Sequence, residues 1–299
     1  MDWSSTLKGY KVYLRLERSL SPNSIEAYVR DVKKIIEFYE THGMSIGPTE
    51  VSIEHLKGLV KWTSELGMQA VSQARMISGI RSYFHYLILE NIVQNDPTEQ
   101  LDAPRLGRKL PDTLDVLDID RLIEAIDLSK PEGERNRAII ETLYSCGLRV
   151  SECVNLKISD LHLKAGFVKV VGKGNKERIV PAGSVVKKRL EEYISRSRVH
   201  IQVKSNDADI VFLNRRGGRL SRVMVFIMIK ELAERIGLNK RISPHTFRHS
   251  FATSLVEGGA DLRAVQEMLG HESITTTEIY THLDREYLRQ VVVDFHPRS

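Results

Sequence analysis

The feature that most constrains this chain is a run of helix breakers near the end of its first third. Asp96-Pro97, Ala103-Pro104, Gly107 and Leu110-Pro111 all fall between residues 95 and 111. Proline fixes φ and offers no N–H, and it pushes the preceding residue toward extended backbone, so no regular element runs through such a stretch. The chain is therefore expected to fold as two bodies, residues 1–94 and 112–299, joined by an extended linker over 95–111. With 299 residues there is enough chain to give each body its own core. Arg105, Arg108 and Lys109 make the linker basic. That fits a solvated connector as well as a segment tracking a phosphate backbone.

Before the linker the pattern is helical. Ser21-Pro22-Asn23-Ser24 is a start signal, with Ser21 or Asn23 able to cap and Pro22 suited to the first turn. Ile25, Tyr28, Val29, Val32, Ile35, Ile36 and Tyr39 follow at three- and four-residue intervals, giving one apolar stripe. A second helix is expected from about Ser52 to Ser64, stopped by Gly67, and a third from about Ala70 to Glu90. The third carries Arg75 and Arg81 as basic positions.

After the linker, Asp118 reads as the cap of a helix reaching about Ile126, and further helices are expected over Glu134–Cys146 and Val150–Leu156. Phe167–Val171 and Glu177–Pro181 are β-branched and alternating, and Gly172-Lys173-Gly174-Asn175-Lys176 supplies turn residues between them. This is a hairpin with Lys173 at its tip. Helices return over Val185–Arg196, Val223–Ile236 and Pro244–Val256, the last set between Ser243 and Gly258-Gly259. Asp261 caps a short helix ending at Gly270, Thr275–Thr277 opens one bearing Tyr280, and a last helix spans about Asp284 to Val293. The fold class is mainly α with a small β-sheet.

Charge follows this division. Residues 1–107 carry 12 Lys+Arg against 13 Asp+Glu, and the remainder carries 32 against 26, so the cationic excess sits in the second body. Cys146 and Cys153 lack the spacing of a C-x-x-C redox pair or of zinc ligands and read as small buried side chains. The first residues carry no basic-then-apolar leader, and no apolar run approaches ~18 residues, so a cytoplasmic protein without membrane contact is expected. The spacing for paired-metal carboxylates and a G-x-x-x-x-G-K-[ST] loop are both missing.

Several polar residues of the second body suit phosphate chemistry. His245 and Arg248 lie one turn apart at a helix start, where free N–H groups favour an anion. Arg149 precedes Glu152 by three residues, a spacing at which the carboxylate can orient the guanidinium; an ordinary surface pair worth ~0–1 kcal/mol has the same spacing. Lys173 at a hairpin tip can be a solvated turn residue or a proton donor to a poor alkoxide leaving group. His271 follows Gly270 and can donate to a non-bridging oxygen, and Tyr280 follows it by nine residues. A tyrosine with a pKa near ~10 needs cations or a histidine to act as a nucleophile. His249 points away from the His245–Arg248 pair by helical geometry.

In order, the strings Cys-Gly-Leu-Arg-Val-Ser-Glu, Gly-Lys-Gly-Asn-Lys-Glu-Arg-Ile-Val-Pro, Ser-Pro-His-Thr-Phe-Arg-His-Ser-Phe-Ala-Thr and Met-Leu-Gly-His-Glu-Ser-Ile-Thr-Thr-Thr-Glu-Ile-Tyr-Thr-His resemble the signatures of the tyrosine recombinase (phage integrase) family. The likeness spans nearly the whole chain and is greatest to the bacterial Xer branch, with no arm-binding domain expected ahead of residue 1. It implies a two-domain, C-shaped DNA clamp made of a helical core-binding domain and a catalytic domain. It further implies that Tyr280 attacks the phosphorus to leave a 3′-phosphotyrosyl link. Arg149 and Arg248 would clamp the phosphate, His245 and His271 assist, Lys173 act as general acid and Glu152 support. No departure from the family's residue types is found at these positions. No cofactor, metal or ATP is implied.

The implied partner is double-stranded DNA at a dif-like site, bound by a homo- or hetero-tetramer, with a sister Xer recombinase and an activating DNA translocase as further partners. On the third helix of the first body Ser72, Gln73, Arg75 and Arg81 are then the candidates for reading bases, or simply solvated polar positions. The segment from about Arg285 to Ser299 would dock on a neighbouring subunit. Chromosome-dimer resolution is the implied role. The alternatives are a mobile-element integrase, a type IB topoisomerase-like enzyme that reseals the same strand, and an architectural DNA-binding protein with an idle site.

Overall fold

The computed structural model describes residues 2–105, 107, 112–270 and 282–299, with backbone alone for Lys173 and residues 282–285. The chain divides into two compact units, residues 1–109 and 110–299.

The first unit is helical. Helices α1 (Trp3–Leu16), α2 (Pro22–Thr41), α3 (Ile53–Glu65) and α4 (Ala70–Leu89) surround one core. Helix α1 is an element the breaker-and-cap reading did not single out. It is capped by the Asp2 carboxylate, which accepts from the Ser5 N–H, and it buries Leu7, Tyr10, Tyr13 and Leu14. The expected Ser21 cap of α2 is present, its hydroxyl accepting from Ser24 N–H. Helices α2 and α4 approach closely at Gly79, where a Cβ would lie 2.7 Å from an Asp31 carboxylate oxygen. Asp31 is itself 2% exposed and takes both arms of the Arg75 guanidinium, at 2.6 and 2.7 Å. Burial pushes the Asp31 carboxyl above its usual range, and the bonds from Arg75 return only part of that shift.

The second unit holds α5 (Val116–Glu124), α6 (Gly133–Ser145), α7 (Val150–Val154), β1 (Leu161–His162), β2 (Phe167–Val171), β3 (Glu177–Pro181), α8 (Ser184–Glu192), α9 (Arg222–Arg235), α10 (Pro244–Gly258), α11 (Leu262–Leu269) and α12 (His282–Phe295). The strands form an antiparallel sheet in the order β1-β2-β3, and β2 and β3 occupy the segments their alternation predicts. The two-residue β1 is too short to leave a sequence pattern. Asp115, not Asp118, caps α5: its carboxylate accepts from Asp118 N–H, while Asp118 reaches back to Asp115 N–H. Helix α8 ends earlier than expected and continues as one π turn over Tyr193–Ser197.

One core gathers α5 to α9 with the sheet, and a second joins α10, α11 and α12 through Phe251, Leu255, Met268, Leu288, Val291 and Val292. The end of the chain packs against α10 and α11 of its own domain. Arg298 pairs with Asp120 and Glu141, and His296 is buried between Tyr144 and Phe251. Cys146 and Cys153 are free and buried, as their spacing suggests, and desolvation pushes the Cys146 thiol up to about 12. Among the described residues no helix is long and apolar enough to cross a membrane.

Candidate active site

The site grows out of the turn between α6 and α7. Helix α6 ends at Cys146, and Gly147 takes φ +57°, the left-handed conformation glycine adopts without cost. Two residues later Arg149 is the N-cap of α7, and Glu152 one turn on reaches back to accept from the Arg149 N–H at 2.7 Å. The same carboxylate accepts from Arg149 Nη1 at 2.9 Å. The i to i+3 spacing read from sequence is therefore a real contact, yet it is no surface pair, because the Glu152 side chain is 3% exposed.

Glu152 serves three guanidiniums. Arg178 of β3 donates to both of its oxygens, at 2.7 and 2.8 Å, and Arg248 Nη1 stands 3.9 Å away. Burial works to raise the Glu152 pKa, but the Arg178 and Arg149 bonds outweigh it and the carboxyl is held below its usual range.

Arg248 comes from the second turn of α10, whose start is fixed by Pro244 and by the Ser243 N–H donating to Thr246 Oγ1 at 3.1 Å. Its Nη1 donates to the Gly147 carbonyl at 2.9 Å, and its Nη2 donates to the Leu269 carbonyl. Arg178 Nε meanwhile donates to the Met268 carbonyl at 2.7 Å. Two guanidiniums therefore satisfy carbonyls that α11 leaves open at its C-terminal, partially negative end. Arg248 pays for its place: desolvation first, then Arg149 and Arg178, push its pKa down to about 10, and Glu152 opposes them.

Arg149 is the open member. Its side chain is 40% exposed, and its Nε and Nη2 have no partner among the described residues. A free guanidinium edge beside further buried cations suits an anionic, two-oxygen ligand such as a phosphodiester. His245 also lies at the start of α10 but is exposed, so it differs from the buried Arg248 that the sequence pairs with it.

The hairpin tip is a single 3-10 turn over Lys173–Asn175, with Gly174 and Asn175 at positive φ. Its base sits on the arginine cluster: a Cβ on Gly172 would lie 3.6 Å from Arg178 Nη1 and 3.6 Å from Glu152 Oε1. At the other end of the cluster, a Cβ on Gly270 would lie 3.0 Å from Arg178 Cδ. His271 and Tyr280 lie outside the described residues, as do Arg108 and Lys109.

Arg178 was not among the candidates read from sequence. The signal was present, since β3 alternates and Arg178 shares its inward parity with the buried Val180. An arginine on an inward face demands a buried partner, and Glu152 is that partner.

The polar positions of α4 divide. Ser72 is exposed. Gln73 is 6% exposed, with its amide donating to the Val60 carbonyl at 3.2 Å, so it ties α4 to α3 instead of facing a ligand. Arg75 is occupied by Asp31, and Arg81 donates to the Leu101 carbonyl. Arg105 is exposed.

Known proteins resemble the chain over nearly its whole length. The phage integrase family model matches residues 112–286, and the phage integrase N-terminal SAM-like domain matches residues 7–91. A tyrosine recombinase XerD of Oceanobacillus iheyensis is 43% identical over 96% of each chain. One from Staphylococcus saprophyticus is 43% identical over 98% of this chain and 99% of its own. Among solved structures, XerH site-specific recombinase bound to palindromic difH substrate in a post-cleavage complex matches with TM-score 0.71 at 25% identity, over 96% of this chain and 83% of that one. The chain belongs to the tyrosine recombinase (phage integrase) family, enzymes that cleave and rejoin DNA at specific sites.

Proposed function

We propose that this recombinase cuts one strand of a dif-like duplex with Tyr280 and resolves chromosome dimers in the cytoplasm. The phenolate oxygen of Tyr280 attacks the scissile phosphorus as the bond to the 5′-oxygen breaks. Lys173 gives that oxygen its proton, leaving a 3′-phosphotyrosine and a free 5′-hydroxyl. A 5′-hydroxyl from a second duplex then attacks the phosphotyrosine, the tyrosine leaves, and the strands are exchanged with no net change in bonds. Arg149 and Arg248 hold the non-bridging oxygens, with His245 and His271 assisting. The active unit is a tetramer on two sites, formed with itself or with a sister recombinase and started by a DNA translocase. Arg105, Arg108, Lys109 and Ser72 are the proposed DNA-facing residues outside the catalytic set.

The observation that carries this reading is the cluster of three guanidiniums on one buried carboxylate, with Arg149 left partly open. Preorganised cations around a dry phosphate are the means by which phosphoryl transfer is accelerated through charge stabilisation. The XerD names of the relatives, and the solved XerH complexes with difH before and after cleavage, support the choice of target site.

The test is a nicked suicide duplex carrying the site, incubated with the full chain in EDTA. A covalent adduct forms, and Tyr280→Phe abolishes it while DNA binding stays nearly intact. Undiminished adduct in that variant overturns the assignment of the nucleophile.

A further inference from the structure

Arg178 differs from the open Arg149 in being buried with each of its three nitrogens already donating within the protein. Its side chain is 6% exposed, and all three nitrogens donate within the protein: Nε to the Met268 carbonyl, Nη1 and Nη2 to the two Glu152 oxygens. Those acceptors sit on two separate elements, α11 and α7, while Arg178 belongs to β3, one arm of the hairpin whose turn holds Lys173. The register pairs Arg178 with Val170, and the hairpin closes above it through the Gly172 N–H donating to the Lys176 carbonyl at 2.8 Å. Room is tight at Gly270, where a Cβ would lie 3.0 Å from Arg178 Cδ, while at Gly172 the contacts would be ordinary ones at 3.6 Å.

We infer that Arg178 is a positioning residue: it fixes the Lys173 hairpin in register against α7 and the end of α11, and so sets where the general acid stands relative to the Arg149–Arg248 pair. The inference rests on the role given above to Lys173. A guanidinium is required because its planar fork meets a carboxylate side-on while its Nε still reaches a third acceptor; an ammonium has no such fixed geometry. In this role the side chain acts on proton delivery to the leaving group. It does not touch the phosphate.

The experiment uses two suicide duplexes, one with the ordinary 5′-oxygen at the scissile position and one with sulfur in its place. A thiolate leaves without a proton, since a thiol titrates near ~8.5. Arg178→Lys is expected to bind DNA like its parent and to cleave the oxygen duplex roughly 10²-fold more slowly, the low end of what a general acid contributes. On the sulfur duplex its rate should fall by less than about tenfold, because that step needs no acid. Lys173→Ala should show the same pattern, and joining the two substitutions should add little further loss on oxygen.

Equal slowing on both duplexes, or no slowing on either, overturns the inference. Should Arg178→Lys fail to fold, Arg178→Met with Glu152→Gln removes the buried pair without leaving a lone charge. The sulfur-to-oxygen rate ratio of that double variant should then exceed that of Glu152→Gln alone, and equal ratios overturn the inference. A parent chain that forms adduct on neither duplex overturns the recombinase reading itself, a distinguishable failure.

Discussion

Gly147 offers the most direct test of how the site is held. Its φ of +57° is a conformation that costs an L-residue ~1–2 kcal/mol. A Cβ placed there would also lie 2.4 Å from Phe251 Cδ1 and 2.9 Å from Cγ and Cε1, well inside ordinary contact. Phe251 is fully buried and belongs to the core that holds α10 to α11, so it cannot swing into solvent. Overpacking of this kind costs ~1–3 kcal/mol, and the two terms together put Gly147→Ala at roughly 2–5 kcal/mol. Gly237 supplies the control: its φ is +63°, but nothing lies within 4 Å of its Cβ position, so Gly237→Ala should cost only ~1–2 kcal/mol. Both tryptophans, Trp3 and Trp62, belong to the first unit, so the second unit must be followed by circular dichroism during urea unfolding. The Gly147 carbonyl is an acceptor for Arg248, so adduct formation by the folded variant should also fall. If Gly147→Ala costs no more than Gly237→Ala, the overlap with Phe251 carries no energy and the reasoning fails.

Two other perturbations address parts of the chain away from the phosphate cluster. His296 is buried, chiefly desolvation and then Arg298 lower its pKa to about 4, and the unfolded value is 6.5. The unfolded chain therefore binds the extra proton, so stability contributed by neutral His296 is present above about 6.5 and is lost as pH falls toward about 4, by on the order of 3 kcal/mol. Urea midpoints taken across that range should slope for the parent and flatten for His296→Gln; parallel slopes would count against it. In the first unit, Arg75→Ala strips the nearly buried Asp31 of its partner, and because Arg75 is itself half exposed the cost should be about 1–3 kcal/mol, below that of a fully buried pair. Tryptophan fluorescence during unfolding reads it, with Ser72→Ala as a neutral control within about 0.5 kcal/mol; a stable Arg75→Ala with weakened DNA binding would mean that Arg75 is a DNA contact after all.

Legibility in the sequence followed the strength of local chemistry. The β2–β3 hairpin was legible because alternation and β-branching agree with the turn residues between the strands, and α11 because Asp261 and Gly270 bracket it. Helix α1 was passed over although Leu7, Tyr10 and Leu14 recur at helical spacing after Asp2; no breaker drew attention to it. Asp118 has the marks of a cap, being acidic and ahead of apolar residues, but Asp115 has the same features three residues earlier and wins by geometry. Gln73 and Arg75 were read as outward because they are polar, whereas each meets a specific internal partner that no periodicity encodes. The Arg149–Glu152 contact was legible from spacing, but its burial was not, since that depends on β3 and α10 arriving from far along the chain. The packing of the tail depends on Asp120, Glu141 and the Phe251 core, equally remote in sequence.

The ratio of charges in the cluster explains why the site can both fold and act. Without a carboxylate the two buried guanidiniums, Arg178 and Arg248, would each carry an uncompensated burial cost of several kcal/mol. A second carboxylate would remove that cost and also remove any electrostatic reason for a phosphate to enter. One carboxylate, Glu152, with carbonyls from Gly147, Met268 and Leu269, is enough to assemble the cluster while leaving it cationic. The downward pull that Arg149 and Arg178 exert on Arg248 is the signature of that residual repulsion. On the proposed reaction, a phosphodiester would relieve the repulsion on arrival, and the additional negative charge developing as the phosphorus is attacked would relieve it further. The interaction would then be greatest at the transition state, the condition for accelerating the chemical step instead of merely binding the DNA.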